Sequence, residues 1–383
     1  PFIITRSTFA GTGKYAGHWT GDNSADWEDL YLSIPGILNF QIFGIPLVGA
    51  DICGFNGRTT EELCLRWMQL GSFYPFMRNH NGILESSQEP YIWPSVAATS
   101  RKYLRIRYSL LPYYYTLFYE SHKYGYMVLR PLFIEYPHIK SALSIDKQFM
   151  LGGGILVSPI LLPNESEVKD AYIPPGIWYN FYSHNVSFKV HDQGIHSVIK
   201  ASLNEMPIHL RGGHIIPMQR PRMTTTQSRK TNYYLIISLD EDESAKGSLY
   251  FDDGESLDVG DEYTYISFVI NNRSTLIADV KWCGYDNGLV LDKIFILGVA
   301  DAKYDEIVTN KKVSKVVLND VEIEMKEGKD KSSFIDFYDF DYSTNDIEVG
   351  DGGLWVIDDI GKLTFSGLQL SMCRGWNLTW VLD

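Results

Sequence analysis

Gly17-His18-Trp19-Thr20-Gly21-Asp22-Asn23 lies between two apolar runs that each end in a charge, Phe2 to Arg6 and Ile45 to Ala50, the latter followed by Asp51. Short apolar runs separated by helical periodicity are the signature of a parallel sheet covered by helices. The intervening helix is marked by Trp27, Leu30, Tyr31, Ile34 and Leu38, with Asn23 or Ser24 as its cap and Pro35 as a bend. In such folds ligands bind where strands end, so the residues following each run are the first candidates for chemistry.

Working outward, Thr59 and Glu62 read as a capping box for a second helix with Leu63, Trp67 and Leu70 on one face and Gly71 at its C-terminus. A third helical segment, from about Thr99 to Glu120, places Leu104, Tyr108, Leu111 and Tyr115 on one stripe, with Pro112 as a bend. From Met127 onward the pattern changes to β-branched and aromatic runs broken by turn residues, as around Asn319-Asp320. The stretch Pro217 to Lys230 reads as a linker within this all-β region. The expected domains are 1–136, 137–225 and 226–383. Three strand-helix units are too few for a (β/α)8 barrel, which needs about 250 residues. The first domain is therefore either a small open α/β sheet or the last portion of a barrel begun on another segment. Pro1 already opens inside what reads as a buried strand, so an upstream segment is expected.

Composition bounds the partners. The 383 residues are 45% hydrophobic and 21% charged, with a net charge of −13, which disfavours nucleic-acid phosphate as a ligand. No apolar run approaches the ~20 residues of a membrane span. Gly152-Gly153-Gly154 lacks the Lys-Ser/Thr of a phosphate loop, and the histidines make no zinc spacing, so neither metal nor cofactor is expected. Asp252-Asp253-Gly254-Glu255 lacks calcium-loop spacing and reads as a turn. Sequons at Asn164, Asn185, Asn272 and Asn377 suggest the secretory pathway. Cys53 and Cys64 fit either a small disulfide loop or two buried thiols.

Arg6, Trp19, Asp22, Asp51, Arg78 and His80 all stand at expected strand ends. An aromatic platform beside carboxylates and an arginine suits sugar chemistry, which needs groups for hydroxyls and carboxylates to move protons. Each also has a structural reading: Asp22 as a helix-preceding aspartate, Asp51 as a loop clamp, the arginines as ion pairs, Trp19 as core.

Arg6-Ser7-Thr8-Phe9-Ala10-Gly11 with Tyr15-Ala16-Gly17-His18-Trp19-Thr20-Gly21-Asp22, Gly49-Ala50-Asp51-Ile52-Cys53-Gly54-Phe55, and Phe73-Tyr74-Pro75-Phe76-Met77-Arg78-Asn79 closely resemble segments of glycoside hydrolase family 31. The nearest resemblance is to its acid α-glucosidase and maltase group, and it covers almost the whole chain. It implies the C-terminal part of a (β/α)8 barrel followed by two β-sandwich domains, α/β plus all-β. It implies Asp22 as the general acid/base and Arg6, Trp19, Asp51, Phe55, Arg78 and His80 as the lining of the non-reducing glucose subsite. It further implies a Cys53–Cys64 disulfide.

The family is retaining and needs a second carboxylate as nucleophile, about 5–5.5 Å from the first. In the family it lies in a Trp-x-Asp-x-Asn-Glu type segment, and none occurs here. The resemblance therefore implies an α-glucosidase portion that removes terminal, mainly α-1,4-linked glucose together with an N-terminal portion carrying the nucleophile, in a lysosomal or extracellular location. The alternatives are an inactive carbohydrate-binding or scaffold subunit, and another family specificity: α-xylosidase, isomaltase or glucosidase II.

Overall fold

The computed structural model describes residues 2–299, 312–327, 354–358 and 362–382; the rest of the expected 226–383 domain lies outside the described residues. The N-terminal alternation forms parallel strands β1 (Ile4–Thr5), β2 (Gly17–Trp19), β3 (Val48–Gly49), β4 (Asp51–Ile52) and β5 (Arg78–Asn79). β1 pairs with β2, β2 with β3 and β4 with β5, all parallel. This is barrel-type α/β structure, with strands alternating with helices: α1 (Trp27–Ile42) after β2, α2 (Glu61–Gly71) after β4 and α3 (Pro94–Ser109) after β5.

Several local expectations shift. The cap of α1 is Asp26, which accepts from the Asp29 amide, and neither Asn23 nor Ser24 takes that role. Asn23 is withdrawn from capping because its carboxamide is engaged across the loops, as described below. Pro35 does not end α1, since Leu30, Ile34, Ile37 and Leu38 on either side are all buried and outweigh one missing amide bond. The cap of α2 is Thr60, not Thr59, and the Glu62 carboxylate accepts from the Asn164 amide instead of closing a capping box. Gly71 is helical and stands where a Cβ would lie 2.4 Å from the Ile52 Cδ1 atom, so it serves close helix–strand packing and not a left-handed cap.

The third helical segment divides into α3 and α4 (Leu111–Tyr124). Its buried stripe is Tyr103, Ile106, Leu110, Tyr113 and Leu117, one position out of phase with the expected one. Apolar or aromatic residues occupy so many positions here that periodicity alone does not select a phase.

By contact density the described residues fall into two units, one within 1–107, 117–175 and 190–209, the other within 108–116, 176–189 and 210–383. In the first, α2 is tied to the chain beyond α4: the buried Arg66 guanidinium donates to the Glu165 and Ser202 carbonyls at 2.9 and 3.0 Å, and Gln69 donates to that of Leu203. Strands Phe149–Leu151 and Ile155–Val157 form a hairpin, and Glu167–Ile173 pairs antiparallel with Ile195–Lys200. In the second unit, strands from Gly213–Gln219 to Trp376–Leu382 make one long, mostly antiparallel sheet that encloses its own core. Thr264–Asn271 alternates buried and half-buried residues with the period of a half-buried strand. Pro217 belongs to the strand paired with Tyr233–Ser238, so the expected linker begins with a sheet strand. The Asn319-Asp320 turn is present, both residues having positive φ between Val313–Leu318 and Val321–Glu322.

Gly49 gives the fold a sharp test, because a Cβ there would lie 1.9 Å from the Phe76 carbonyl oxygen, a backbone atom that cannot swing aside. We expect Gly49→Ala to cost more than ~3 kcal/mol in chemical denaturation, at the severe end of single substitutions. A loss below ~1 kcal/mol would mean that the strands part without penalty.

Candidate active site

The strand ends carry the site. β2 ends at Trp19 and the chain turns through Gly21, at φ +89°, to present Asp22. A Cβ on Gly21 would lie 2.6 Å from the Arg6 Nε atom, so glycine is what lets the guanidinium approach. Arg6 and Asp22 are 3.5 Å apart, both substantially exposed. An exposed pair of this kind contributes little stability and leaves its charges available. His18, one residue before Trp19, is buried against Phe40 at 3.6 Å between ring centres and does not join them.

β4 and β5 supply a pair of opposite character. Asp51, 1% exposed, accepts from the Arg78 Nη2 at 2.7 Å. The Arg78 guanidinium lies 5.4 Å from the centres of both the Trp19 and Phe76 rings, a cation–π arrangement. Burial pushes the Asp51 carboxyl above the usual aspartate range; Arg78 and then His80 oppose that rise, and Asp22 adds to it. These groups are thus electrical neighbours. Asp51 Oδ2, Arg78 Nε and Trp19 Nε1 are buried and have no hydrogen-bond partner among the described residues. Unmet donors and acceptors converging at strand ends are what a polyhydroxylated ligand would satisfy. Phe55 and His80 add a second wall, their rings 5.1 Å apart.

The loop after β4 is held from several sides. Cys53, at φ +75°, is bonded to Cys64 of α2, with a Cα separation of 4.5 Å. The buried Gln88 amide lies within 3.3 Å of the Ile52, Gly54 and His80 carbonyls and of Asn79 Oδ1, joining the Asp51 and Arg78 loops. Asn23 donates to the Asp51 carbonyl and accepts from the Phe55 amide. Sequence reasoning missed Asn23 and Gln88 as organisers of the site. Gln88 carries no local signal in Ser86-Ser87-Gln88-Glu89, and Asn23 was obscured by its resemblance to a cap. The Cys283–Cys373 disulfide was equally unforeseen, the two residues being 90 positions apart. The Asp252-Asp253-Gly254-Glu255 segment is a turn: Asp253 accepts from the Glu255 and Ser256 amides, and Asp252 accepts from Tyr115 and Tyr250. Among the described residues no cluster of three or more metal-ligating side chains occurs, and no helix is long and apolar enough to cross a membrane.

The family model described as "Glycosyl hydrolases family 31 TIM-barrel domain" matches residues 1–117, and that of the "Glycosyl hydrolase family 31 C-terminal domain" matches 125–216. The chain is 45% identical to an alpha-glucosidase of Hordeum vulgare over 307 residues, 78% of this chain and 35% of that protein. It is 46% identical to the lysosomal alpha-glucosidase of Rattus norvegicus over 320 residues, 79% and 34%. The chain thus spans about a third of these relatives' length. Among solved structures, a glucosidase II alpha subunit bound to alpha3-Glc2 superposes with a TM-score of 0.83 at 28% identity, covering all of this chain and 39% of that one.

The Asp51–Arg78 pair makes a pH prediction. In an Arg78→Met variant the buried carboxyl loses the cation opposing its desolvation and titrates higher still. A carboxyl whose folded-state pKa exceeds its unfolded value adds stability below the unfolded pKa and loses it as pH rises through the folded one. The variant should therefore fall further below wild type as pH rises above the ordinary aspartate pKa of about 4. Parallel melting-temperature profiles for the two proteins would contradict this account.

Proposed function

The chain belongs to glycosyl hydrolase family 31, and on that premise we propose that it supplies the acid/base half of a retaining α-glucosidase active site. The supporting observation is the contrast between its two carboxylates. Asp22 is exposed at a strand end beside Arg6, whereas Asp51 is buried and committed to Arg78. Two carboxyls in such different surroundings suit different tasks. Asp22 gives its proton to the glycosidic oxygen as the C–O bond breaks, while a nucleophilic carboxylate on an upstream barrel strand takes the anomeric carbon. Asp22 then removes a proton from the water that releases glucose. Asp51, Arg78 and Arg6 hold sugar hydroxyls, with Trp19, Phe55 and His80 as the walls of the subsite.

The substrate class that fits is a terminal, non-reducing α-linked glucose, mainly α-1,4, as in maltose and glycogen-like glucans. Identities of 45–46% to the barley and rat α-glucosidases favour this assignment. The likeness to a glucosidase II alpha subunit supports a second reading, glucose trimming of another linkage. Relative hydrolysis of maltose, isomaltose, an α-1,3-linked diglucoside and an α-xyloside separates the two. Location in the secretory pathway agrees with the two disulfides and with the exposed sequon residues Asn164, Asn185 and Asn272; Asn377 is half-buried within a sheet strand. The domain boundaries we propose are 1–136 for the barrel portion and 137–225 and 226–383 for the two sandwiches.

In the complete enzyme, Asp22→Asn should lower kcat/KM for maltose by ~10²–10⁴. It should leave kcat/KM for α-glucosyl fluoride nearly intact, because fluoride departs without a proton from the protein. Near-normal maltose turnover would remove Asp22 from its role, and sugar binding without turnover by wild type would favour a binding subunit.

A further inference from the structure

We propose that Asn23 is a positioning residue of the reaction, its carboxamide locking the main chain of Asp22 to the loop that carries Asp51 and Phe55. The inference rests on the acid/base reading of Asp22 and concerns how that carboxylate is held.

The Asp22 side chain has little to orient it apart from a 3.5 Å approach to Arg6, and both groups are exposed. Its place is therefore set by the backbone on either side. On the C-terminal side Asn23 reaches across to the neighbouring loop with both ends of its amide. Nδ2 donates to the Asp51 carbonyl and Oδ1 accepts from the Phe55 amide, each at 3.0 Å. Its own carbonyl accepts from the Phe55 and Asn56 amides at 3.0 and 2.8 Å. The lock is returned from the opposite loop, where Asn56 Nδ2 donates to the Asp22 carbonyl at 3.3 Å and the Ala25 amide donates to the Asn56 carbonyl at 2.8 Å. The two backbones touch, since a Cβ on Gly54 would lie 2.3 Å from the Ala25 Cα.

The chemistry of the side chain is specific. The site presents one acceptor and one donor at the reach of a two-carbon side chain, and only a carboxamide offers the complementary donor and acceptor at that length. Aspartate is isosteric but cannot donate to the Asp51 carbonyl, and it would set a further negative charge beside Asp22 and Asp51. Alanine offers neither group. Asn23 is also free of the helix-capping duty its position suggests, which falls to Asp26. Because Asp51 and Phe55 belong to the subsite and Asp22 to the reacting bond, this amide fixes the distance between the group that holds the sugar and the group that protonates its leaving oxygen. A misplacement of ~1 Å there is enough for a ~10²-fold loss.

The test is kinetic and uses the complete enzyme with Asn23→Ala and Asn23→Asp. For both variants kcat/KM for maltose should fall ~10–100-fold, while kcat/KM for α-glucosyl fluoride falls less than about threefold. That split arises because a displaced acid costs most when the leaving group needs its proton. Equal losses on the two substrates would reduce Asn23 to a merely structural residue, and maltose turnover within about twofold of wild type in the alanine variant would overturn the proposal outright. Should the alanine variant fail to fold, the isosteric aspartate variant carries the same comparison. A wild-type enzyme inert toward both substrates would overturn the acid/base reading, and this inference with it.

Discussion

A carboxylate taken out of water at the end of a parallel strand needs a compensating cation, and here Asp51 finds it in Arg78 at 2.7 Å. Much of the candidate site depends on that pair. The strands bearing the two residues are hydrogen-bonded neighbours in register, Asp51 opposite Arg78, so the ion pair and the strand pairing enforce each other. The guanidinium, held at one edge, lies over the Trp19 ring at the end of β2 and so carries the alignment to a third element. Among the described residues, one carboxylate oxygen and one guanidinium nitrogen of the pair have no hydrogen-bond partner. Burial makes those atoms costly to leave empty, and a sugar hydroxyl is a group of the size and polarity to fill them.

Against this fixed pair, Asp22 has an exposed side chain that meets only Arg6, at 3.5 Å, among the described residues, and a constrained backbone. Gly21 admits Arg6 on one side and Asn23 binds the facing loop on the other. Such an arrangement would suit the proton-transfer role proposed for Asp22, since the carboxylate stays accessible while its anchor does not drift. The disulfide at Cys53 and the Gln88 amide act on the same loop from the α2 and β5 sides. The 51–55 segment is thus fastened to the Asn23 loop, to α2 and to the segment of Arg78 and Gln88.

Close backbone approach is the second constraint running through the fold. Gly49 against the Phe76 carbonyl, Gly71 against Ile52 and Gly54 against Ala25 are each places where a single Cβ would separate elements that bear site residues. Beyond the strands, Arg66 spends its guanidinium on carbonyls of the later chain, so α2 is anchored by hydrogen bonds as well as by its buried faces. The β-rich second unit encloses a core of its own, with Phe268, Leu378 and Trp380 fully or almost fully buried.

The sequence by itself determined the alternation of strands and helices before Met127, the change from α/β to β structure near that residue, and the set of strand-end residues from Arg6 to His80. These follow from hydrophobic period and from short motifs, which are local properties of the chain. Local signals did not choose the cap of α1, the phase of the α3–α4 stripe, the role of Gly71 or the partner of Cys283. Each of these depends on what another segment offers across space: a carbonyl for Asn23, a neighbouring side chain for Gly71, a thiol 90 residues distant. Asn23 shows the difference most clearly. In sequence it is a polar residue before a helix, and only the tertiary structure, by bringing the Asp51 carbonyl and the Phe55 amide to either end of its carboxamide, makes it the tie between two loops of the site.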